Sequence, residues 1–156
     1  MRRLLVYYLT LSLILIGCSN EETNLTSFNN SELKSKLEEQ SFHPKVPTKL
    51  PFKVSDTSFD AGPPDQKSNT YIIDFYGTEN EHLGLTVSRG VAVSTNLETT
   101  GVEIGDEKGK FAENKNGVKY LSWEDEGIRY QLQYFSKTSD TEVNKGELIE
   151  TAKLFQ

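Results

Sequence analysis

Few residues of this chain have side chains suited to covalent or metal chemistry, and the clearest of them is the lone cysteine at position 18. A cysteine sulfur acts as a nucleophile, as a metal ligand or as half of a disulfide. With a single cysteine in the sequence, neither an intramolecular disulfide nor a multi-cysteine metal site can form. The chemistry left for Cys18 is that of a nucleophilic sulfur, including its own modification.

The residues before Cys18 indicate which modification to expect. Arg2 and Arg3 precede Leu4–Ile16, a 13-residue stretch in which only a threonine and a serine interrupt the apolar residues. A charged start and an apolar stretch of this length are typical of a secretory signal, and the stretch is short for a membrane-spanning helix. Leu15–Cys18, with a small glycine directly before the cysteine, resembles the lipobox of bacterial lipoproteins.

The lipobox resemblance implies a cellular location for the protein. In that class the cysteine sulfur receives a diacylglyceryl group, the signal is cut before it, and the cysteine becomes the mature N-terminus. Each buried acyl methylene contributes about 0.8 kcal/mol, so two or more chains give stable anchoring. We therefore expect residues 1–17 to be a lipoprotein signal peptide and Cys18 to be the lipid attachment site. The expected location is the extracytoplasmic face of the cell membrane. An ordinary cleaved signal and an uncleaved single-pass anchor are the alternatives.

Two histidines are the next candidates for chemistry. His43 stands before Pro44 at the end of a predicted helix, where an imidazole interacts favourably with the helix dipole. His82 follows Glu79 and Glu81, and such a group could hold a metal weakly. No second histidine lies at helical or strand spacing from it, so a solvated turn is the favoured interpretation. We predict no metal site and no cofactor.

Acidic residues cluster at Glu103, Asp106 and Glu107 and at Glu124–Glu126. Neither cluster fits the Asp-rich repeat of a calcium loop, which has a glycine at a fixed position and a closing glutamate. The chain contains no Gly-x-Ser-x-Gly elbow and no phosphate-cradling glycine loop. A carboxylate pair for glycoside chemistry stays open, because its spacing is set in three dimensions. These observations favour a non-catalytic protein over an envelope enzyme.

Aromatic residues concentrate in the predicted central strands. They are Tyr71, Phe75, Tyr120, Trp123, Tyr130, Tyr134 and Phe135. A sheet lined with aromatic rings can hold a glycan or an apolar ligand, and it can equally fill a core. Core packing is the favoured interpretation, with Trp123 and Tyr130 as the candidate ligand-binding residues. Because Trp123 lies at a hairpin end, we expect it to be partly exposed.

The mature chain begins with a polar segment. Residues 18–30 are rich in Ser, Asn, Thr and Glu, a composition that cannot bury a core and predicts a flexible tether. Residues 31–156 are then expected to form one domain. Leu33 and Leu37, four apart among charged residues, predict a short amphipathic helix that packs on a sheet. A helix that binds a partner protein is the alternative.

Alternation of apolar and polar residues predicts most of the remaining structure. Strands are expected at 52–59, 71–76, 83–87, 118–123 and 128–134, with weaker candidates at 91–93, 102–104 and 110–112. Glu124–Gly127 is the predicted turn of an antiparallel hairpin. Asn144 and Glu147 form a capping-box pattern that begins a C-terminal helix. The predicted fold is α+β, an antiparallel sheet with an N-terminal and a C-terminal helix packed on it.

Several of these segments resemble an uncharacterised domain family of Gram-positive bacteria. The matching features are Val46-Pro47 with Leu50-Pro51, Gly117-Val118 leading to Trp123, the strand Gly127–Leu132 and the closing helix 143–154. That family occurs in surface lipoproteins and as the extracytoplasmic part of anti-sigma-factor-like membrane proteins. The resemblance covers roughly residues 44–155 and implies a surface-exposed accessory or sensory domain. The family has no established catalytic residues.

The charge balance limits the partners. With 17 basic and 23 acidic residues, the chain has a net charge of −6 and lacks the basic patches of nucleic-acid binders. We expect contact with the membrane through the lipid anchor, a possible envelope protein partner and no nucleic acid. The predicted function is a lipid-anchored binding or sensory domain. A carrier or chaperone of a hydrophobic ligand, bound on the aromatic sheet face, is the alternative.

Overall fold

The computed structural model describes residues 23–62, 68–91 and 96–156. These residues form a seven-stranded antiparallel sheet, a separate two-stranded pair and two short α-helices. The elements are β1 Thr26–Ser27, α1 Ser31–Glu38, β2 Lys49–Leu50, β3 Val54–Asp60, β4 Thr70–Gly77, β5 His82–Arg89, β6 Thr100–Ile104, β7 Glu107–Glu113, β8 Lys119–Asp125, β9 Ile128–Tyr134 and α2 Lys145–Lys153, with a 3-10 turn at Ser136–Thr138. The prediction of a mostly antiparallel sheet with two short helices, one of them C-terminal, is confirmed.

The large sheet has the strand order β3-β4-β5-β9-β8-β7-β6. Two antiparallel meanders of consecutive strands, β3-β4-β5 and β6-β7-β8-β9, build the sheet, and β5 pairs with β9 across some 40 residues of chain. This non-local pairing places β9 between β5 and β8 at the centre of the sheet. β3 and β6 are the two edge strands, and the pairing of β3 shifts register between Val54 and Asp56, which marks a bulge.

The β8–β9 hairpin closes more tightly than the sequence suggests. β8 continues to Asp125, so only Glu126 and Gly127 form the loop. Both have positive φ, 51° and 75°, which is the backbone of a type I′ turn. That turn twists in the same sense as the strands it joins, so Glu124 and Asp125 remain paired instead of lying in the predicted four-residue turn.

The weaker strand candidates at 102–104 and 110–112 are confirmed as parts of β6 and β7. Of the candidate at 91–93, Val91 belongs to no strand and the rest lies outside the described residues. The predicted strand at 52–59 begins later, at Val54, and ends one residue later, at Asp60. Phe52, directly before it, is buried in the core.

One face of the sheet, here called the inner face, carries the hydrophobic core. Its buried residues include Tyr71, Ile73, Phe75, Leu83, Leu85, Val87, Leu121, Trp123, Ile128, Tyr130, Leu132 and Tyr134. Leu33 and Leu37 of α1 and Leu148 and Ala152 of α2 belong to the same cluster. Burial of these apolar groups is the main favourable contribution to folding.

Helix α2 begins with the predicted capping box. The Oδ1 of Asn144 accepts a hydrogen bond from the Glu147 N–H at 2.9 Å, and Oε2 of Glu147 accepts one from the Asn144 N–H at 2.9 Å. Two donors that the first turn of a helix leaves unpaired are thereby satisfied. The capping-box prediction is confirmed.

The N-terminal part of the described chain contacts the domain. β1 pairs with β2, and the Phe28 ring meets Phe75 edge-on with centroids 5.5 Å apart. Residues 26–28, within the segment whose composition predicts a tether, are therefore docked on the domain. The ring contact needs only Phe28, one apolar residue in a polar segment. The average composition of the segment does not reveal a single residue of this kind.

The signal-peptide and lipobox predictions fall on residues 1–18, outside the described part of the chain. Within residues 23–62, 68–91 and 96–156, no helix has both the length and the apolar character needed to cross a membrane.

Candidate functional site

The two aromatic candidates, Trp123 and Tyr130, pack against each other in the core. Their rings are stacked with centroids 5.1 Å apart and planes 10° apart. Phe155 meets both rings edge-on, at 5.0 Å and 5.6 Å. Trp123 is 6% exposed and Tyr130 is 1% exposed. The expectation that Trp123 is partly exposed is wrong, because the C-terminal Phe155 covers the hairpin end.

The hydroxyl group of Tyr130 also has a structural partner. It accepts a hydrogen bond from the Lys45 N–H at 3.1 Å, which fixes the segment after α1, where Pro44, Pro47 and Pro51 lie, against the sheet. Burial raises the pKa of Tyr130. Close by, the Lys45 Nζ donates to Oδ2 of Asp125 at 2.7 Å, which raises the pKa of the Lys45 amine.

Phe42 covers the other end of the inner face. Its ring stacks on Tyr71 at 4.2 Å, and its N–H donates to the Tyr71 hydroxyl at 3.2 Å. The aromatic rings of the inner face therefore occupy the space that a hydrophobic ligand would need. The ligand-binding role of Trp123 and Tyr130 stays a prediction, and their observed contacts are those of core residues.

The opposite, outer face of the sheet carries an open groove of about 440 Å³. Its lining residues are Thr86, Ser88, Leu97, Thr99, Lys108, Lys110, Ser122, Trp123, Glu124, Arg129 and Gln131. The volume lies within the roughly 300–1,000 Å³ typical of small-molecule sites. Of the two aromatic candidates, Trp123 contributes to this lining.

Four polar residues cross the floor of the groove in register. Lys110 is the cross-strand partner of Ser122, Ser122 of Gln131, and Gln131 of Thr86. Since neighbouring strands are about 4.8 Å apart, this row spans about 14 Å. Because side chains alternate along a strand, the apolar residues between these positions point to the inner face, and the row itself is polar.

Three cationic side chains line the groove, and only one of them has an internal partner. Arg129 donates to the Val91 carbonyl at 3.0 Å and to Oε2 of Glu124 at 3.3 Å. Lys108 and Lys110 are exposed and form no ion pair within the described part of the chain. The guanidinium is therefore held in place, whereas the two ammonium groups are available to a ligand.

His82 is separated in the structure from Glu79 and Glu81, its neighbours in the sequence. His82 Nε2 lies 2.7 Å from Oδ1 of Asp74 on the outer face. Glu81 instead is buried, and its carboxylate accepts hydrogen bonds from the Glu79 N–H at 2.7 Å and from the Thr141 hydroxyl at 2.9 Å. Over the described residues, no group of three or more His, Cys, Asp or Glu side chains is placed to hold a metal ion.

The Asp74–His82 pair is a feature that the sequence reasoning missed. The imidazole lies between the rings of Tyr76, at 4.8 Å, and Phe135, at 4.4 Å. Gly84 leaves room for the pair, since a Cβ there would come within 3.3 Å of the Asp74 carboxylate. The register of the β4–β5 hairpin would have predicted this pair, because it places His82 opposite Tyr76 and two residues from the position opposite Asp74. The carboxylate fixes the orientation of the imidazole.

The placement of His43 at a helix end is confirmed. Its Nε2 lies 3.3 Å from the carbonyl oxygen of Glu38, the last residue of α1.

Comparison with protein-family models, with curated proteins and with solved structures finds no match to this chain. The resemblance to the Gram-positive domain family stays a prediction. The geometry of the outer face is therefore the basis for a functional proposal.

Proposed function

We propose that this protein is a lipid-anchored binding domain on the extracytoplasmic face of the cell membrane. Cys18 carries the lipid, and the groove on the outer face of the sheet binds the ligand. The proposed role is that of a non-catalytic accessory or sensor. The observation that supports it best is the difference between the two faces, one filled by core and the other open and lined by polar side chains.

Unused hydrogen-bonding capacity supports the choice of the groove. Lys110, Ser122, Gln131 and Thr86 make no side-chain hydrogen bond to any described residue. Internal polar groups of a folded chain generally have partners, and groups that converge on a concavity without them are free to bind a ligand.

We also propose that both helices pack on the inner face of the sheet. α1 and α2 both contribute to the inner-face cluster, and Phe42 and Phe155 cover its aromatic rings. The domain is thus proposed to be one α+β unit with its helices on a single face. In this arrangement neither helix lies on the face of the sheet that carries the groove.

The anchor is tested by Cys18→Ala in the full-length protein, with Ser19→Ala as the matched control. We expect loss of acyl labelling and release from the membrane fraction for the cysteine variant alone. Unchanged labelling and membrane partitioning after Cys18→Ala would refute lipid anchoring.

The groove is tested separately with Ser122→Phe, which places a ring on the groove floor. Ser58→Phe is the matched control, because Ser58 lies on the same face of the edge strand β3, paired with Asp74 and away from the groove. Binding of small sugars and sugar acids to the full-length protein in detergent is measured by calorimetry. We expect Ser122→Phe to abolish binding and Ser58→Phe to preserve it. Equal binding by both variants would place the site elsewhere.

A further inference from the structure

The charge of the groove is opposite to that of the chain. The chain carries a net charge of −6, yet Lys108 and Lys110 stand two residues apart on the same face of β7. Side chains at such positions are about 7 Å apart, and like charges at this distance repel. An anion between the two ammonium groups would replace this repulsion with attraction.

The surroundings concentrate the free positive charge at Lys110. Glu103 is the cross-strand partner of Lys108, and Glu124 is engaged by Arg129. The partner of Lys110 on β6 is Gly101, where an added Cβ would meet no heavy atom of the described residues within 4 Å. The space beside the Lys110 side chain is therefore open to a ligand, and no carboxylate is paired with this lysine across the strands.

The rest of the groove floor is neutral and rich in hydrogen-bonding groups. Ser122 and Thr86 each provide a hydroxyl group, and Gln131 provides an amide with two donors and an acceptor. These groups continue from Lys110 in one row of cross-strand partners. A ligand that fills the row needs a negative group at one end and hydroxyl groups along its length.

The size and charge of the protein favour a small ligand over a polymer. The groove encloses about 440 Å³. A polyanion longer than the groove would meet a surface with an excess of carboxylates, and it would be repelled there. A compact anion interacts mainly with charges within a Debye length of about 8 Å. The charged residues that line the groove are three cations, Lys108, Lys110 and Arg129, and one anion, Glu124.

We propose that the groove binds a small, hydroxyl-rich anion, a carboxylated or phosphorylated sugar, with the anionic group between the Lys108 and Lys110 ammonium groups. This inference rests on the proposed binding function of the groove and names its ligand class. The hydroxyl groups of the sugar pair with Ser122, Gln131 and Thr86.

The test uses the full-length lipidated protein in detergent and four probes, titrated by calorimetry at low ionic strength. Glucuronate and glucose 6-phosphate are the anionic probes, glucose is the neutral one and glucosamine is the cationic one. We expect at least one anion to bind about tenfold more tightly than glucose, and glucosamine to bind most weakly. The ratio of the two anions distinguishes a carboxylate ligand from a phosphate ligand, and either result supports the proposal.

Substitution assigns the binding to the two lysines. Lys110→Gln should weaken anion binding about fivefold, equivalent to about 1 kcal/mol, and the double variant with Lys108→Gln should weaken it about 20-fold. Glucose binding should change less than twofold. Lys34→Gln, an exposed lysine of α1, is the matched control and should change neither. Thermal melting of each variant verifies that the fold is retained.

The outcomes separate the two proposals. Anion affinity that is unchanged in the double variant, or no stronger than glucose affinity, overturns the ligand class and leaves groove binding intact. If none of the four probes binds in a manner that Ser122→Phe blocks, both the binding function of the groove and its ligand class are overturned.

Discussion

Phe155 is expected to hold the aromatic end of the core closed, and Phe155→Ala tests this directly. The ring contacts Trp123 at 5.0 Å and Tyr130 at 5.6 Å, and it is partly buried. Truncation of a fully buried phenylalanine costs about 3–5 kcal/mol, so a half-buried ring should contribute about 2 kcal/mol. With a urea m-value near 2 kcal/mol/M, the unfolding midpoint should fall by about 1 M.

The tryptophan content of the chain makes the assay specific. Trp123 is the only tryptophan in the sequence, and its 6% exposure predicts emission typical of a buried indole. Phe155→Ala should shift this emission to longer wavelength under native conditions, because the edge of the indole becomes hydrated. Urea unfolding followed by fluorescence and by far-UV circular dichroism gives the free energy of unfolding.

Two variants define the comparison. Phe155→Leu keeps an apolar side chain over the indole and should lose less than half as much stability as Phe155→Ala. Ile72→Ala removes an apolar side chain that is 45% exposed on the outer face and should leave the emission unchanged. A native emission maximum that does not move in Phe155→Ala, together with a midpoint within error of wild type, would refute the packing argument.

Two further predictions concern local packing and pH. Gly77→Ala should destabilise the protein by about 2 kcal/mol, because the new Cβ would lie 2.9 Å from Cβ of Glu81 and closer still to its carboxylate. In the control variant Gly101→Ala, the new Cβ meets no atom of the described residues within 4 Å, and the loss of unfolding free energy in the same denaturation assay should be much smaller. Equal losses in the two variants would contradict the predicted clash with Glu81. Stability should also fall as the pH rises above about 10. Burial raises the pKa of Tyr130 above its ordinary value of 10.0, so the unfolded chain loses the hydroxyl proton at a lower pH than the folded chain does. Melting temperatures measured from pH 8 to 11 should therefore fall more steeply for wild type than for Tyr130→Phe, and parallel curves would exclude this linkage.

Much of the fold follows from the sequence, because its signals are local. Alternation with a period of two identifies β4, β5, β8 and β9, and the Asn144–Glu147 pattern identifies the start of α2. The tight β8–β9 turn was harder to place, since a type I′ turn needs positive φ at Glu126 as well as at Gly127. Glutamate gives no sequence signal for that conformation.

The groove could not be predicted, because it depends on strand order. Alternation assigns Thr86, Ser122 and Gln131 to polar faces of their strands, but it does not say which strands are neighbours. The pairing of β5 with β9, and of β9 with β8, brings these residues into one row. The alternation of residues within a strand does not reveal which distant strand is its neighbour. For the same reason, the cover that Phe155 gives to Trp123 was missed.

The two edge strands of the large sheet have a consequence for the behaviour of the protein at high concentration. An unpaired edge strand offers its backbone groups to the edge of a second molecule, which leads to aggregation. Here β3 has a register shift after Val54 and carries Asp56 and Asp60, and β6 at the other edge carries Glu103. The bulge distorts the hydrogen-bonding row, and two approaching edges bring like charges together. The sheet can therefore remain unpaired at a high local concentration, where flat, uncharged edges would join into a continuous array.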